Sequence, residues 1–481
     1  MTMQDSYIIV DIGTGNVRVA AAAQNGQVLG VAREDIVYIK DNDYPDALYF
    51  EPEQLWQQVL RLAKTVLASV PAASVKAITA TSQREGIVLI GKDGASLIGL
   101  PNIDHRGREW ESIMKDKSRV YHLTGRYPTS LFSAMKLVGI RERKPAIWEA
   151  CQTFLSISNW IEYKMSGLIR YEHSQASETL LYDVARKQWS QELCGVFGLN
   201  MALLPEIADS ATMPGNILPE VAAQLGLNNS VGIVIGGGDT QLAIKSTRPA
   251  VDDMVIVSGT TTPIVKLTGT YKLDAEERTW TSRDIEPGRF VFEANAGVTG
   301  LNYQRLKEIF YPNEGYDIIE KELTENKHTF CMASLGSLLA DEEVPLTRGG
   351  FIFPAPVSHL LTRGSFVWAT IFDIACSISR NYHILAEVDG HRPDYIWACG
   401  GGLQSKVLRQ LIANLTGKKV QIRQAFQQSS AIGGALICNQ ALQLNVPMDD
   451  SIEVVYPQEQ EHYAALYAEW EKTRGYFRNM C

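Results

Sequence analysis

The sequence is short of several features, and each shortage removes a class of protein. Its 481 residues hold no uninterrupted apolar run of about 18–20 residues, so no helix is expected to cross a membrane. Seven cysteines, at 151, 194, 331, 376, 399, 438 and 481, are scattered without a Cys-x-x-Cys pair. An odd count without a framework reads as a reduced, intracellular chain. Met1-Thr-Met-Gln-Asp-Ser has no basic leader region, and the apolar stretch after it breaks at Asp11. No signal peptide fits, and the cytoplasm is the expected compartment. Positive charge is in deficit too: 45 Lys and Arg face 54 Asp and Glu, a net charge of −9. Without clustered cations, nucleic acid is not the expected partner. No Gly-x-Gly-x-x-Gly dinucleotide fingerprint appears, and the one near-match to a phosphate loop is Gly86-x4-Gly91-Lys92. Asp93 stands there where Ser or Thr is required, on a hairpin pattern rather than at a helix start. The eight histidines (105, 122, 173, 328, 359, 383, 391 and 462) form no metal-ligand spacing.

What is present is an ordinary globular composition, 45% apolar and 21% charged, on a chain long enough for two or three domains. Residues 7–34 read as a strand, a tight Gly13-Thr-Gly15 turn, a return strand and an Asn25-Gly26 hairpin turn. Pro52 then opens a helix whose Leu55, Trp56, Val59, Leu60, Ala63, Val66 and Leu67 recur at three-to-four spacing. Strands are expected at 75–79, 86–90 and 231–235, the last ending in Gly236-Gly-Gly-Asp239. Between about 105 and 230 the pattern is mostly helical. The second half repeats these devices. A strand at 254–257 meets Ser258-Gly-Thr-Thr-Thr262, and one at 395–398 ends in Gly400-Gly-Gly402 before a helix at 407–415. Each half thus pairs an early Gly-Thr turn with a late triple glycine. Either two related α/β lobes are present, the first enlarged, or Gly-rich turns follow strands here by coincidence.

Several of these turns carry groups suited to chemistry. Asp11-Ile-Gly-Thr-Gly15 sets a carboxylate beside amides that can form an anion-binding nest, with Arg18 in reach. A plain hairpin turn with a solvated Asp would look the same. Asp239 stands just past a strand end, where α/β proteins bind ligands, and could accept a hydroxyl proton. It could equally cap the helix that follows. Gln83-Arg84-Glu85 lies between two strands and offers donors and an acceptor to a polyhydroxylated ligand, or else a surface salt bridge. Asp104 and Arg106 share that ambiguity. Ser258–Thr262 could donate to phosphates, and Gly400–Gly402 with Ser405 and Lys406 could approach a purine or a phosphate.

Taken in order, these residues resemble the FGGY carbohydrate kinases of the actin-like ATPase superfamily. The landmarks are Asp11-x-Gly-Thr, Ser82-Gln-Arg-Glu-Gly86, Asp104-His-Arg106 and Trp160-Ile-Glu-Tyr-Lys-Met-Ser-Gly167. They continue through Ser177, Gly236-Gly-Gly-Asp239-Thr-Gln241, Ser258-Gly-Thr260 and Gly400-Gly-Gly402. The resemblance implies an α/β chain of two RNase-H-like lobes, 1–247 and 248–481, with MgATP in a central cleft. The first lobe would bind sugar and hold the catalytic base, and the second would bind nucleotide. It implies Asp239 as the base, Asp11 as the acid organising Mg²⁺, and Thr14 and Arg18 near the transferred phosphate. Arg84, Glu85, Asp104, Asp239 and Gln241 would bind the substrate. Gly259, Thr260 and Gly297 would meet nucleotide phosphates, with Gly401, Gly402 and Lys406 at the adenosine edge. The expected activity is ATP-dependent phosphorylation of a hydroxyl on a small sugar or polyol. A homodimer is compatible with this reading.

Within the family the motifs point away from xylulose kinases, which tend to carry Met-His where this chain has Arg84-Glu85. Arg84-Glu85 is more like glycerol kinases, and Arg84-Glu-Gly-Ile-Val-Leu89 with Asn102-Ile-Asp104 more like bacterial autoinducer-2 kinases. The stretch 357–363 lacks the family's Gly-Glu-Arg. Two further classes compete: an ATPase that drives a partner, and a sugar sensor without catalysis. Sugar ligands at Gln83–Glu85 disfavour the first, and intact Asp11 and Asp239 disfavour the second.

Overall fold

The computed structural model describes residues 4–325 and 331–480; Met1–Met3, His328 and Cys481 lie outside the described residues. The chain divides into two compact units. The first takes Met1–Ser246, Gly269–Val291 and Ser429–Asp449, and the second Thr247–Thr268, Phe292–Gln428 and Asp450–Cys481. The expected continuous division at 247 differs from this in two later stretches, Gly269–Val291 and Ser429–Asp449. The reason for the latter is packing. Helix Ser429–Ala441 carries Gly433 and Gly434 where a Cβ would come 2.0 Å from the Leu242 carbonyl oxygen and 2.7 Å from Ile9 Cγ1. Only glycine lets this helix lie so close to the first sheet. Tyr7 adds a hydroxyl hydrogen bond of 2.7 Å to Asn439 Oδ1.

Strand Ser6–Ile12 is buried on both faces, which accounts for its unbroken apolar run. Ile8, Val10 and Ile12 join the core beneath helix Pro52–Leu67, whose Leu55, Trp56, Val59, Leu60, Ala63 and Val66 are all buried. Tyr7 and Ile9 join the other core, with Ala435, Ile437 and Cys438. Burying each Val, Leu or Ile contributes about 1.5–3 kcal/mol.

The first unit's sheet runs Gly215–Asn216, Gly232–Gly238, Val75–Ser82, Ser6–Ile12, Asn16–Ala23, Val28–Asp35. Ser6–Ile12 pairs antiparallel with Asn16–Ala23 and parallel with Val75–Ser82, which in turn pairs parallel with Gly232–Gly238. Leaving out the short edge strand Gly215–Asn216, the spatial order of the chain's sheet strands is therefore 3-2-1-4-5. The second unit's strands stand in the same order. Phe290–Val298, Thr261–Thr268, Met254–Val257, Tyr395–Cys399 and Lys419–Arg423 are successive neighbours. Met254–Val257 is antiparallel to Thr261–Thr268 and parallel to Tyr395–Cys399, and Tyr395–Cys399 is parallel to Lys419–Arg423. Both units are RNase-H-like, and the repeat is structural rather than coincidental.

The landmarks of the repeat need one correction. The two Gly-Thr turns do correspond, since each follows the first strand of its sheet. The triple glycines do not: Gly236–Gly238 end the fifth strand of the first sheet, while Gly400–Gly402 follow the fourth strand of the second. Close backbone approach demands glycine in both places. A Cβ on Gly236 would lie 1.8 Å from the Ala80 carbonyl oxygen, and one on Gly400, at φ +100°, 2.3 Å from that of Ser258.

Candidate active site

In the first unit the C-terminal ends of the three parallel strands converge. Asp11 closes the first, Arg84 and Glu85 follow the second, and Asp239 follows the third. The hairpin register sets Asp11 opposite Arg18, whose guanidinium donates to Asp11 Oδ2 at 2.7 Å. Ser430, at the start of helix Ser429–Ala441, donates its hydroxyl to the same oxygen at 2.6 Å and accepts from Arg18. Asp11 is thus a held carboxylate rather than a solvated one. The turn after it is fixed from outside. Tyr38 donates to the Thr14 carbonyl at 2.7 Å, Asn102 Nδ2 donates to Thr14 Oγ1 at 3.0 Å, and Gln83 Oε1 accepts from the Asn102 amide at 2.9 Å.

Arg84 and Glu85 are 8% and 6% exposed, so the surface salt bridge is ruled out. Glu85 takes a left-handed backbone, φ 61°, which turns consecutive side chains out of the sheet. Burial, and then the negative charge of Glu178, push the Glu85 carboxyl well above the usual range. Arg84 lies 3.7 Å from Glu178 Oε1, an oxygen that also receives Arg126. Lys136 is fully buried with its ammonium on the Leu131 and Asn102 carbonyls, and its charge acts on both Glu85 and Asp104.

Asp239 is half-buried and opens helix Asp239–Thr247. Its Oδ1 accepts from the Thr240 amide at 2.6 Å and the Thr240 hydroxyl at 3.3 Å. Both bonds come from the adjacent residue rather than from the amides two or three positions on that a capping side chain reaches, and they occupy one carboxylate oxygen. Burial pushes Asp239 up to about 6, with the charge of Arg84 opposing and that of Asp11 reinforcing the shift. Gln241 is fully buried, donates to Ser282 Oγ at 3.3 Å, and keeps its Oε1 without a partner.

The strand before Asp239 is bulged. Its register with Val75–Ser82 shifts between Val234 and Gly237, which takes backbone amides out of the ladder. Gly236 N–H donates instead to Glu162 Oε1 at 2.8 Å, and Gly238 N–H to Ser174 Oγ at 3.0 Å. Ser174 donates in turn to Glu172 Oε2 at 2.5 Å, and Thr81 donates to the Gly237 carbonyl at 2.8 Å. Two buried carboxyl groups thus fix the glycine run that carries Asp239.

Asp104 is placed differently. It is fully buried, with Oδ2 accepting from Arg106 Nε at 2.8 Å and Oδ1 from the Leu48 amide at 3.0 Å. Its known partners are protein groups, and the charge of Lys136 is what links it to Glu85.

The second unit presents a neutral set. Ser258 is its hub: the Ser258 amide donates to the Cys399 carbonyl at 2.8 Å, and the Gly402 amide donates to the Ser258 carbonyl at 2.9 Å. Thr262 Oγ1 donates to Ser258 Oγ at 3.2 Å and lies 2.7 Å from Thr299 Oγ1. Gly259 and Thr260 are exposed on the turn, and a Cβ on Gly300 would meet the Gly259 carbonyl oxygen at 2.1 Å. Gly259, Thr260, Gly401 and Gly402 therefore sit around one serine. Gly297, at φ 70°, lies on the neighbouring strand beside Leu338. Lys406 opens helix Lys406–Thr416, its amide donating to Glu320 Oε2 at 2.9 Å.

Sequence reasoning missed Ser430, Lys136, Arg126, Glu178, Glu162, Glu172 and Ser174. Glu162 had a signal, an acid among the apolar residues of helix Ile157–Ser166 that face the core. For the others, residues far apart in sequence meet only in the fold.

The doubled RNase-H-like strand order defines an α/β protein with the two-lobed actin-like fold. The N-terminal domain of the FGGY family of carbohydrate kinases matches residues 6–245, and the C-terminal domain matches 342–442. The Bacillus subtilis protein YoaC, which carries a sugar-kinase name, is 48% identical over 480 residues, 99% of this chain and 98% of its own. The autoinducer-2 kinase of Yersinia enterocolitica is 25% identical over 496 residues, 97% of this chain and 93% of its own. The crystal structure of a ligand-bound xylulose kinase from Lactobacillus acidophilus superposes with TM-score 0.85 at 18% identity, covering 98% of each chain. The chain belongs to the FGGY family of carbohydrate kinases. Among the described residues no helix is long and apolar enough to cross a membrane.

Proposed function

We propose that this sugar kinase transfers the γ-phosphoryl group of ATP to a hydroxyl of a small sugar or polyol, with Asp239 as general base. The observation that carries this reading is a pair of carboxylates at the ends of two parallel strands that flank Val75–Ser82, each in a different state. Asp11 is held by Arg18 and Ser430, while Asp239 is raised to about 6 with only Oδ1 engaged by Thr240. A base near 6 is ionised at neutral pH yet basic enough to take a proton as an alcohol attacks. Arg84 and Glu85 would orient the substrate hydroxyls, Arg donating and Glu accepting or donating according to its protonation. Gln241 Oε1, buried without a partner, supplies one more acceptor.

The donor set suits nucleotide and magnesium. Among the described residues no group of three acid, His or Cys side chains could hold a metal, so Asp11 would hold Mg²⁺ largely through water and phosphate oxygens. When bound, that ion neutralises charge on the phosphates. The amides of the Gly13–Gly15 turn and Arg18 would receive the transferred group. Gly259, Thr260, Gly297, Gly401, Gly402 and Lys406 would hold the nucleotide through amides, hydroxyls and close backbone approach. The similarity to an autoinducer-2 kinase along 97% of the chain favours a second substrate reading, a linear signalling sugar.

The test is ADP release across polyols, ketoses, sugar acids and the autoinducer precursor. Asp239→Asn should lower sugar-dependent turnover by about 10²–10⁴-fold with the fold intact. ATP turnover that no sugar raises, or full activity in Asp239→Asn, would sink the proposal.

A further inference from the structure

Eleven buried side-chain atoms lack a hydrogen-bond partner among the described residues, and three of them belong to one ion pair. Arg126 and Glu178 are both 0% exposed. The guanidinium NH2 of Arg126 donates to Glu178 Oε1, which leaves Arg126 Nε and NH1 and Glu178 Oε2 unsatisfied. Gln241 Oε1 adds a fourth orphan on a side chain that bonds Ser282, two residues from Trp280. Leaving such charged atoms buried and unpaired is strongly unfavourable. An ion pair kept only for stability would have its remaining positions filled by neighbours, as Asp104 and Arg106 do with Leu48 and Asp41.

The pair belongs to the sugar side of the first unit. Arg84 approaches the same Glu178 oxygen at 3.7 Å, and the charges of both Glu178 and Arg126 act on Glu85. The Trp280 ring lies under the Arg126 guanidinium at 4.8 Å and edge-on to Phe132 at 5.8 Å, which fixes the plane of the guanidinium. The unfilled capacity is two donor nitrogens of Arg126 and two acceptor oxygens, Glu178 Oε2 and Gln241 Oε1. A hydroxyl group, donor and acceptor at once, is the ligand chemistry that fills both kinds.

Resting on the kinase reading, we propose that Arg126 and Glu178 are specificity residues that bind oxygens of the substrate beyond those held by Asp239, Arg84 and Glu85. The substrate is then a sugar or sugar derivative of more than three carbons. One of its distal hydroxyls donates to Glu178 Oε2, and a neighbouring oxygen accepts from Arg126. A three-carbon polyol spends its hydroxyls on the inner residues and leaves this pair unmet.

The experiment compares kcat/KM for glycerol with that for four-, five- and six-carbon polyols and ketoses. The full-length protein and Glu178→Gln, an isosteric neutral change, are assayed side by side. The native protein should favour the longer substrates. Glu178→Gln should lower the ratio of long-chain to glycerol kcat/KM roughly tenfold or more, through the sugar KM and not the ATP KM. Should the single variant fail to fold, Arg126→Met with Glu178→Gln removes both charges together and leaves no lone buried ion. It should lose the same discrimination. The proposal is overturned if glycerol is the preferred substrate, or if both variants scale all substrates alike, as a purely structural pair would. If no sugar raises ADP release in the native protein, the kinase reading falls and this inference with it.

Discussion

At the ends of its parallel strands the first unit carries Asp11, Arg84, Glu85 and Asp239, where the second carries Ser258, Gly259, Thr260 and Gly400–Gly402. The strand order beneath them is the same. One set is charged and wholly or half-buried, with Glu85 and Asp239 raised in pKa; the other is neutral and made of hydroxyls, amides and bare backbone. Under the proposed function, the difference follows from what each end would do. Proton acceptance needs a carboxylate whose affinity is tuned by burial and by neighbouring charge. Holding an anionic ligand needs donors that bring no competing negative charge, and turn amides and hydroxyls meet that need at low desolvation cost. On that proposal, one strand order would support a reactive end and a gripping end by changing side chains at matching positions.

The two glycine runs give the most severe way to break this comparison, because both are required by contact and only one precedes a charged residue. Gly236→Ala sets a Cβ 1.8 Å from the Ala80 carbonyl oxygen and Gly400→Ala sets one 2.3 Å from that of Ser258. Both involve backbone that cannot move aside, so each should cost about 2–4 kcal/mol in denaturant unfolding. The surviving folded fraction should differ in kind. Gly236→Ala should lower kcat, since it displaces Asp239, whereas Gly400→Ala should raise the ATP KM. An exchange of these signatures would refute the division of labour.

Glu162 tests the charged end at one remove. Glu162→Ala strips the Gly236 amide of its acceptor and should let the bulge before Asp239 relax. A displacement of about 1 Å at a base costs up to 10²-fold, so kcat should fall roughly 10–100-fold while both KM values stay near native. Burial holds Glu162 up to about 8, so at neutral pH its carboxyl is largely protonated and Glu162→Gln resembles it. That variant should recover much of the lost kcat. Equal loss in both variants would mean that the carboxyl does more than accept the Gly236 amide.

A pH profile sharpens the comparison further. Activity should fall as pH drops through about 6, because protonated Asp239 cannot accept the hydroxyl proton. The signs at its neighbours are opposite. Asp11 raises Asp239, so Asp11→Asn should move the acid limb of residual kcat to lower pH. Arg84 lowers it, so Arg84→Gln should move the limb upward. Limbs that move together, or not at all, would place the titration elsewhere.

Much of the candidate site was legible in the sequence where it sits on short contiguous motifs. Asp11-Ile-Gly-Thr, Gln83-Arg84-Glu85 and Gly236–Asp239 all lie at strand ends, as the alternation of apolar runs and glycine turns implied. What the chain order hid is of two kinds. Matching the triple glycines by appearance misplaced one of them by a strand, because a glycine forced by a bulge and one forced by a turn look identical in sequence. Helix Ser429–Ala441 packs with the first unit although it lies some 180 residues beyond Ser246, and nothing local marks that return. Ser430, Arg126 and Glu178 enter the site by the same long-range route. A buried ion pair with atoms to spare is visible only once its surroundings are built.

The smallest effect belongs to the neutral end. Thr260 is exposed on the turn after the second unit's first strand, where its carbonyl accepts from the Thr299 amide at 3.2 Å. Its hydroxyl is one donor among several amides, and no charge depends on it. Thr260→Val keeps the β-branched shape and removes that hydroxyl alone. The loss of one neutral hydrogen bond is worth about 1 kcal/mol, so the ATP KM should rise about fivefold with kcat, the sugar KM and the melting temperature unchanged. A loss on the scale of Asp239→Asn would mean that this turn stabilises charge developing in the transition state. The gripping end would then share in the chemistry, and the contrast between the units would be one of degree.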